Sequence, residues 1–259
     1  MKRCGLELHH LEQLDFTLSP EFCCSIRNTL GLKIKASNVK MSVEVERKFL
    51  CSEDMLEILE KIGVCVGQRQ FHDQYFDTPG FELTLRDFWL RKRKGCWELK
   101  CPISTINGTG ELSEEQSLAA KLCTHYKEIT NLPEIQQRVK KVIKGSCGDT
   151  ETTPSQEDEL WLSKLDLVCF AEFTTVRRSF TLEEGVQIDL DQADFGYHVG
   201  EIEVLIPEGG DVHSAQEKIR NAAQKLGLSG DQQVEGKMNV YLKRYHPEHY
   251  AKILSAHVL

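Results

Sequence analysis

Val43-Glu44-Val45-Glu46-Arg47-Lys48-Phe49-Leu50 opens the patterned part of this 259-residue chain. The segment starts in alternation, and residues i, i+2 and i+4 of a strand share a side. Glu44, Glu46 and Lys48 therefore stand on one face, with Val43 and Val45 on the other. The same grouping recurs downstream. Trp89, Arg91 and Arg93 share a face, as do Glu98 and Lys100, Asp189 and Asp191, and Glu201 and Glu203. One charged strand face is ordinary solvated surface. Five strands with paired charges on one face fit two arrangements: an open sheet with one wet side, or a closed barrel with a charged lumen. The second implies function, because buried charges are costly unless they pair or meet a ligand. The pattern does not choose between them.

Outward from that strand, Ser52 caps a short helix carrying Met55, Leu59 and Ile62 on one side, and Gly63 stops it. A strand is expected over 70–77, ending in the turn Asp77-Thr78-Pro79-Gly80. Strands over 88–93 and 96–101 flank Lys94-Gly95 as a hairpin. Asn107-Gly108-Thr109-Gly110 reads as a surface loop, because no strand and helix flank it as a phosphate loop requires. A short helix is expected within 113–123, a helix over 133–144 beginning at Pro133, a polar loop over 145–158, and a helical stretch over 160–166. Strands follow at 168–182, 186–191 and 199–206, with Asp194-Phe195-Gly196 as a turn. A helix over 213–226, a last strand near 235–244 and a helix over 247–257 complete the pattern. Strands dominate, and the fold class is α+β with a largely antiparallel sheet.

Hydrophobic residues make up 40% and charged residues 28%, an ordinary globular composition, with a formal net charge of −8. That acidity argues against nucleic-acid binding through a basic face. It leaves room for a small anionic ligand in a local basic pocket. No apolar run reaches the roughly 20 residues of a membrane helix. The ten cysteines contain no CxxC pair, which reads as reduced thiols of a cytoplasmic protein. The nine histidines, His246 and His249 included, lack metal-ligand spacing. Residues 1–40 hold six basic and four acidic residues with little periodicity. They read as a dispensable extension before a working domain at 41–259.

The spacing Glu44-Val45-Glu46-Arg47-Lys48 resembles the start of the triphosphate tunnel metalloenzymes, the group that includes CYTH domains. Tyr75-Phe76-Asp77-Thr78, Trp89-Leu90-Arg91-Lys92-Arg93, Trp97-Glu98-Leu99-Lys100, Tyr126-Lys127-Glu128, Arg178-Ser179, Ile188-Asp189-Leu190-Asp191, Gly200-Glu201-Ile202-Glu203 and Lys237 follow in that family's order. The runs Asp189 to Tyr197 and Trp97 to Pro102 resemble the branch that acts on thiamine triphosphate. The resemblance implies a closed eight-stranded antiparallel barrel, a triphosphate tunnel decorated with helices. It implies that Lys48, Arg91, Arg93, Lys100, Arg178 and Lys237 hold phosphates. Glu44, Glu46, Asp189, Glu201 and Glu203 would hold a divalent metal, normally Mg2+, with Asp189 also facing substrate. The longer 102–124 stretch leaves the placement of Lys127 and Glu128 open.

These residue types suit the implied chemistry. A triphosphate monoester carries close to four negative charges, which several lysines and arginines spread through charge-assisted bonds. Mg2+ prefers hard oxygen ligands and retains waters. Hydrolysis of a terminal phosphoryl group needs an in-line water and charge stabilisation. Glu44, Glu46 and Lys48 are the expected catalytic set, with a carboxylate positioning the water. Trp89 either stacks on a flat substrate ring or packs in the core. The expected activity is metal-dependent hydrolysis of thiamine triphosphate by a monomer. The alternatives are an inorganic or nucleoside triphosphatase on the same fold, or a non-catalytic triphosphate-binding module.

Overall fold

The computed structural model describes residues 42–103, 121–145, 158–228 and 232–256. The 1–40 extension, the 107–110 loop, most of the 113–123 helix and most of the 145–158 loop lie outside the described residues.

Eight strands carry the molecule: β1 (Ser42–Phe49), β2 (Val64–Asp77), β3 (Trp89–Arg93), β4 (Cys96–Pro102), β5 (Thr124–Ile129), β6 (Val168–Thr181), β7 (Gln187–Ala193) and β8 (Tyr197–Pro207). They close into a barrel in the order β1-β5-β4-β3-β2-β6-β7-β8, every neighbouring pair antiparallel. The closed arrangement is therefore the one adopted. The β1–β8 register runs from Ser42 opposite Pro207 to Phe49 opposite Gly200. A side chain could not replace hydrogen at Gly200, because a Cβ there would lie 2.3 Å from Cζ of the Phe49 ring. At the β3–β4 hairpin, Lys94 and Gly95 both take positive φ, 48° and 80°, as a tight two-residue turn requires.

Six helices among the described residues surround the barrel: α1 (Glu53–Ile62), α2 (Leu132–Lys144), α3 (Asp158–Lys164), α4 (Val212–Lys225), α5 (Lys237–Tyr245) and α6 (Pro247–Ser255). Their starts follow local chemistry. The Ser52 hydroxyl accepts from the Met55 N–H at 3.2 Å, the Asn131 side chain from Glu134, and the Asp211 side chain from Ser214. Asn131 is followed by Leu132-Pro133 in the first turn of α2, where a missing N–H costs nothing.

The apolar core lies outside the barrel and at one end. Val43, Val45, Phe49, Ile188, Ile202 and Val204 pack beneath α1 and α4, through Leu59, Ala215, Ile219 and Ala222. Leu90, Trp97, Leu99 and Ile129 pack beneath α2 and α3, through Ile135, Val139 and Trp161. A third cluster joins Tyr75 and Phe173 of the barrel to Met238, Leu242 and Ile253 of α5 and α6. That end also receives the turn after β2. The buried Asp77 carboxylate accepts the Thr78, Leu83 and Thr84 N–H groups and the Thr84 hydroxyl. Thr84 Oγ1 in turn lies 2.7 Å from His249 Nε2 of α6.

One expected strand fails and one strand was not expected. Residues 235–244 are not a strand: 237–245 form α5. Met238, Val240 and Leu242 are all buried at spacing two, which imitates a strand face. The eighth strand is β5 instead. Its lumen side holds Thr124, Tyr126 and Glu128, and its outer side His125, Lys127 and Ile129, so no apolar alternation marks it. The cysteine reading is also amended. Cys51, Cys65, Cys101, Cys123 and Cys169 are free thiols, whereas Cys96 is disulfide-bonded. Among the described residues no helix is long and apolar enough to cross a membrane.

Candidate active site

The faces left over by the outer core turn inward and are charged. On β1 and β4, Lys48 pairs with Glu46, and Lys100 Nζ lies 2.6 Å from Glu44 Oε2 and 3.5 Å from Glu46 Oε2. The Thr124 hydroxyl of β5 donates to Glu46 at 3.1 Å. On β3, Arg91 donates to Glu98 at 2.5 Å and to Glu128 at 3.0 Å. Arg93 forks onto Asp73 at 2.6 and 2.7 Å, its guanidinium 3.8 Å from the Phe71 ring centre. On the opposite wall Arg177 holds Asp191 at 2.6 Å through two nitrogens, Asp189 at 2.5 Å and Glu201 at 3.0 Å. Lys237, at the first turn of α5, pairs with Asp191 and reaches Glu201 at 3.4 Å.

The structure thus brings Glu44, Glu46, Lys48, Arg91, Arg93, Lys100, Asp189, Glu201, Glu203 and Lys237 to one lumen. Arg178 is the exception and its assignment is corrected. It points outward to Glu60 of α1, at 2.9 Å, with its side chain 36% exposed. Arg177 takes the lumen position, because one residue of displacement along a strand changes the face. The signal was available in Val176 and Phe180, which flank Arg178 at spacing two. Phe180 is buried in the outer core, and in this barrel the apolar face is the outer one. Sequence reasoning also passed over Asp73, Glu98 and Asp191 as site residues. Of the pair left open, Glu128 faces Arg91 in the lumen and Lys127 pairs outside with Glu208 at 3.2 Å.

The lumen holds seven cationic side chains among the described residues: Lys48, Arg91, Arg93, Lys100, Arg177 and Lys237, with Arg69 opposite Arg177 in the β2–β6 register. It holds nine carboxylates: Glu44, Glu46, Asp73, Glu98, Glu128, Asp189, Asp191, Glu201 and Glu203. Burial works against ionised Glu46, but Lys100 and Lys48 outweigh it and hold the carboxyl at about 2. Lys237 and Arg177 likewise overcome burial to hold Glu201 well below the usual carboxylate range. Glu203 goes the other way. Burial, then the nearby Glu44, push it well above that range.

That imbalance bears on a metal. Among the described residues no three carboxylate, imidazole or thiol groups already converge as a coordination shell. The physical reason is that most of these carboxylates are drawn to a lysine or arginine. The donor set nevertheless fits a hard divalent cation. Glu44, Glu46, Asp189, Glu201 and Glu203 are oxygen donors on the contiguous strands β1, β8 and β7, in a lumen where carboxylates outnumber cations.

Trp89 stands opposite Lys100 in the β3–β4 register, at the barrel end that carries α5 and α6. Its ring packs partly against the third apolar cluster, and its Nε1–H donates to Asp87 at 2.7 Å. Both uses weighed for it, packing and presentation of a flat ring, are compatible with this half-buried position.

The CYTH domain family matches residues 42–236. The thiamine-triphosphatase of Homo sapiens is 36% identical over 225 residues, covering 82% of this chain and 89% of that protein. The thiamine-triphosphatase of Macaca fascicularis is 35% identical over 222 residues, with the same coverage of each chain. With the closed barrel, its charged lumen and this family match spanning most of its length, the chain belongs to the CYTH domain family.

Proposed function

We propose that this chain hydrolyses thiamine triphosphate to thiamine diphosphate and phosphate, with Mg2+ bound alongside the substrate. The observation that carries the reading is the lumen itself: six cations and nine carboxylates on the inward faces of one closed barrel, joined by Lys237 from α5. A pure anion binder would have cations alone. A surplus of carboxylates suits a polyanion that arrives with a divalent cation.

In this reading Lys48, Arg91, Arg93, Lys100, Arg177 and Lys237 exchange their carboxylate partners for phosphate oxygens. Each such bond contributes about 1.5–3 kcal/mol, so several together offset the desolvation of the triphosphate. Glu44, Glu46, Asp189, Glu201 and Glu203 are then released to hold the metal. When bound, the metal supplies neutralisation of phosphate oxygens in the transition state. A water oxygen attacks the terminal phosphorus as the bond to the bridging oxygen of the diphosphate breaks. Glu46 accepts a hydrogen bond from that water and orients it, and the proton the water loses passes to solvent. The thiamine rings lie toward Trp89, where a cationic ring over an indole gains about 0.5–2 kcal/mol. The enzyme acts as a monomer, since a closed barrel leaves few strand edges to pair, and the five free thiols among the described residues suit the reducing cytoplasm.

Phosphate release from thiamine triphosphate, ATP and inorganic triphosphate, with Mg2+ and with excess chelator, tests the reading. Preference for thiamine triphosphate, abolished by the chelator, is expected. Preference for inorganic triphosphate would keep the tunnel and discard the organic substrate. Binding without turnover would leave a sensor.

A further inference from the structure

Asp87 lies between the tunnel and its surroundings in a way no phosphate or metal role explains. It follows the short 3-10 turn Thr84–Arg86 and adopts the left-handed conformation, φ 62° and ψ 27°. Aspartate and asparagine tolerate that region better than most residues. The conformation brings one oxygen, Oδ1, to two aromatic side chains at once. The Trp89 Nε1–H donates to it at 2.7 Å and the Tyr126 hydroxyl at 3.0 Å. Trp89 and Tyr126 belong to β3 and β5, which do not pair with each other, and β4 with Lys100 runs between them. Lys100 Nζ sits 5.6 Å from the Tyr126 ring centre. One carboxylate oxygen thus ties two rings into a single wall beside a phosphate-binding lysine.

The second oxygen, Oδ2, has no hydrogen-bond partner among the described residues and is not buried. A half-buried carboxylate with one oxygen committed and the other open, flanked by an indole and a phenol, matches a cationic or amino-bearing heteroaromatic ring. The ring would lie against the aromatic faces and its positive or N–H edge would meet Oδ2. An inorganic triphosphate offers no such group.

We propose that Asp87 is a specificity-determining residue of this tunnel: Oδ1 positions Trp89 and Tyr126, and Oδ2 receives the cationic or amino-bearing ring attached to the triphosphate. The proposal rests on the organic-triphosphate reading given above. Asp87→Asn is the informative change, since asparagine keeps an acceptor oxygen for the two aromatic donors and suits the same backbone. It removes the charge and turns the open acceptor into a donor.

The experiment measures kcat and KM for thiamine triphosphate and for inorganic triphosphate, with Mg2+, in the unaltered protein, Asp87→Asn and Tyr126→Phe. The expected result is a fall of about ten- to a hundredfold in the ratio of the two kcat/KM values for Asp87→Asn, carried by KM. Tyr126→Phe, which keeps the ring and removes one bond to Oδ1, is expected to lower the ratio less. A preference in the unaltered protein that survives Asp87→Asn would overturn the role of Asp87 and leave the organic-substrate reading standing. Equal losses on both substrates would also overturn it, by showing a structural role alone. No preference in the unaltered protein would sink both. If Asp87→Asn fails to fold, Tyr126→Phe decides: an unchanged ratio counts against the proposal.

Discussion

On the outer face of the barrel, Val45, Ile188 and Ile202 are sealed at 0% exposure beneath helices. On the inner face of the same three strands stand Glu46, Asp189 and Glu201, engaged by lysines, arginines and a serine hydroxyl. Both faces are buried, yet by different means. The outer face gains from area removed from water, at about 25 cal/mol per Å2. The inner face gains little net from its ion pairs, because desolvation consumes most of their attraction. What the inner face acquires is a set of charges held in place before any ligand arrives. The outer face stabilises, and the inner face is prepared at some cost in stability.

Arg177 and Arg178 put that contrast into adjacent residues, and replacing each is the severest way to break it. Arg177→Ala leaves Asp189, Asp191 and Glu201 buried with one principal cation removed. A loss of about 3–5 kcal/mol is expected in urea unfolding, with turnover reduced as well. Arg178→Ala disrupts a pair with Glu60 and a contact over the Phe180 ring and is expected to change stability by about 1 kcal/mol or less. Equal losses in the two variants would refute the division of faces.

On the outer side, Ile202→Ala is expected to cost about 2–5 kcal/mol through transfer and cavity terms. Because Ile202 packs in the outer core, kcat measured on the folded fraction should hold. A variant that remained fully stable but lost turnover would show that the two faces are not separable.

The seam where the barrel end meets α6 should show a pH dependence. His249 is 2% exposed and bonded to Thr84, and burial pushes its pKa from 6.5 down to about 4. The unfolded chain then binds a proton that the folded chain refuses. Stability from this group is complete above pH 6.5 and is lost as pH falls from 6.5 toward 4, by about 2–3 kcal/mol. His249→Phe should reduce the slope of the stability profile between pH 6.5 and 5 by the share this imidazole contributes. An unchanged slope would remove His249 as its source.

The smallest of these effects concerns Trp89, where the two faces overlap. Trp89→Ala is expected to lower kcat/KM for thiamine triphosphate about three- to thirtyfold relative to inorganic triphosphate, the worth of one ring contact. A loss of melting temperature with no change in that ratio would assign Trp89 to the apolar cluster alone.

Much of this was legible before any coordinates. β1, β3, β4, β7 and β8 announce themselves because their charged faces alternate with apolar outer faces such as Val43, Val45, Leu90, Leu99, Ile188 and Ile202. The closing of the barrel was not legible from pattern, since a charged face reads the same whether it meets solvent or another wall. β5 escaped because both of its faces are polar, and α5 was misread because Met238, Val240 and Leu242 are buried at strand spacing. Arg178 was taken over Arg177 from the resemblance, and the arginine doublet carries no period of its own to correct it. Only the neighbouring Val176 and Phe180 set the face. Asp87 and His249 were out of reach for another reason. Their partners, Tyr126 and Thr84, are distant in sequence, and no local spacing encodes such a meeting.

The β1–β8 ladder has a consequence for the making of the molecule. Its eight residue pairs join the first strand of the domain to the last, so β1 has no final partner on that side until residue 207 has been synthesised. At about 5–20 residues per second the wait lasts roughly ten to thirty seconds. A strand held so long with one side unpaired is ordinarily an invitation to aggregate. Here Glu44, Glu46 and Lys48 keep one of its faces hydrated throughout, and the charges that later serve the tunnel first act as the strand's own solubility tag.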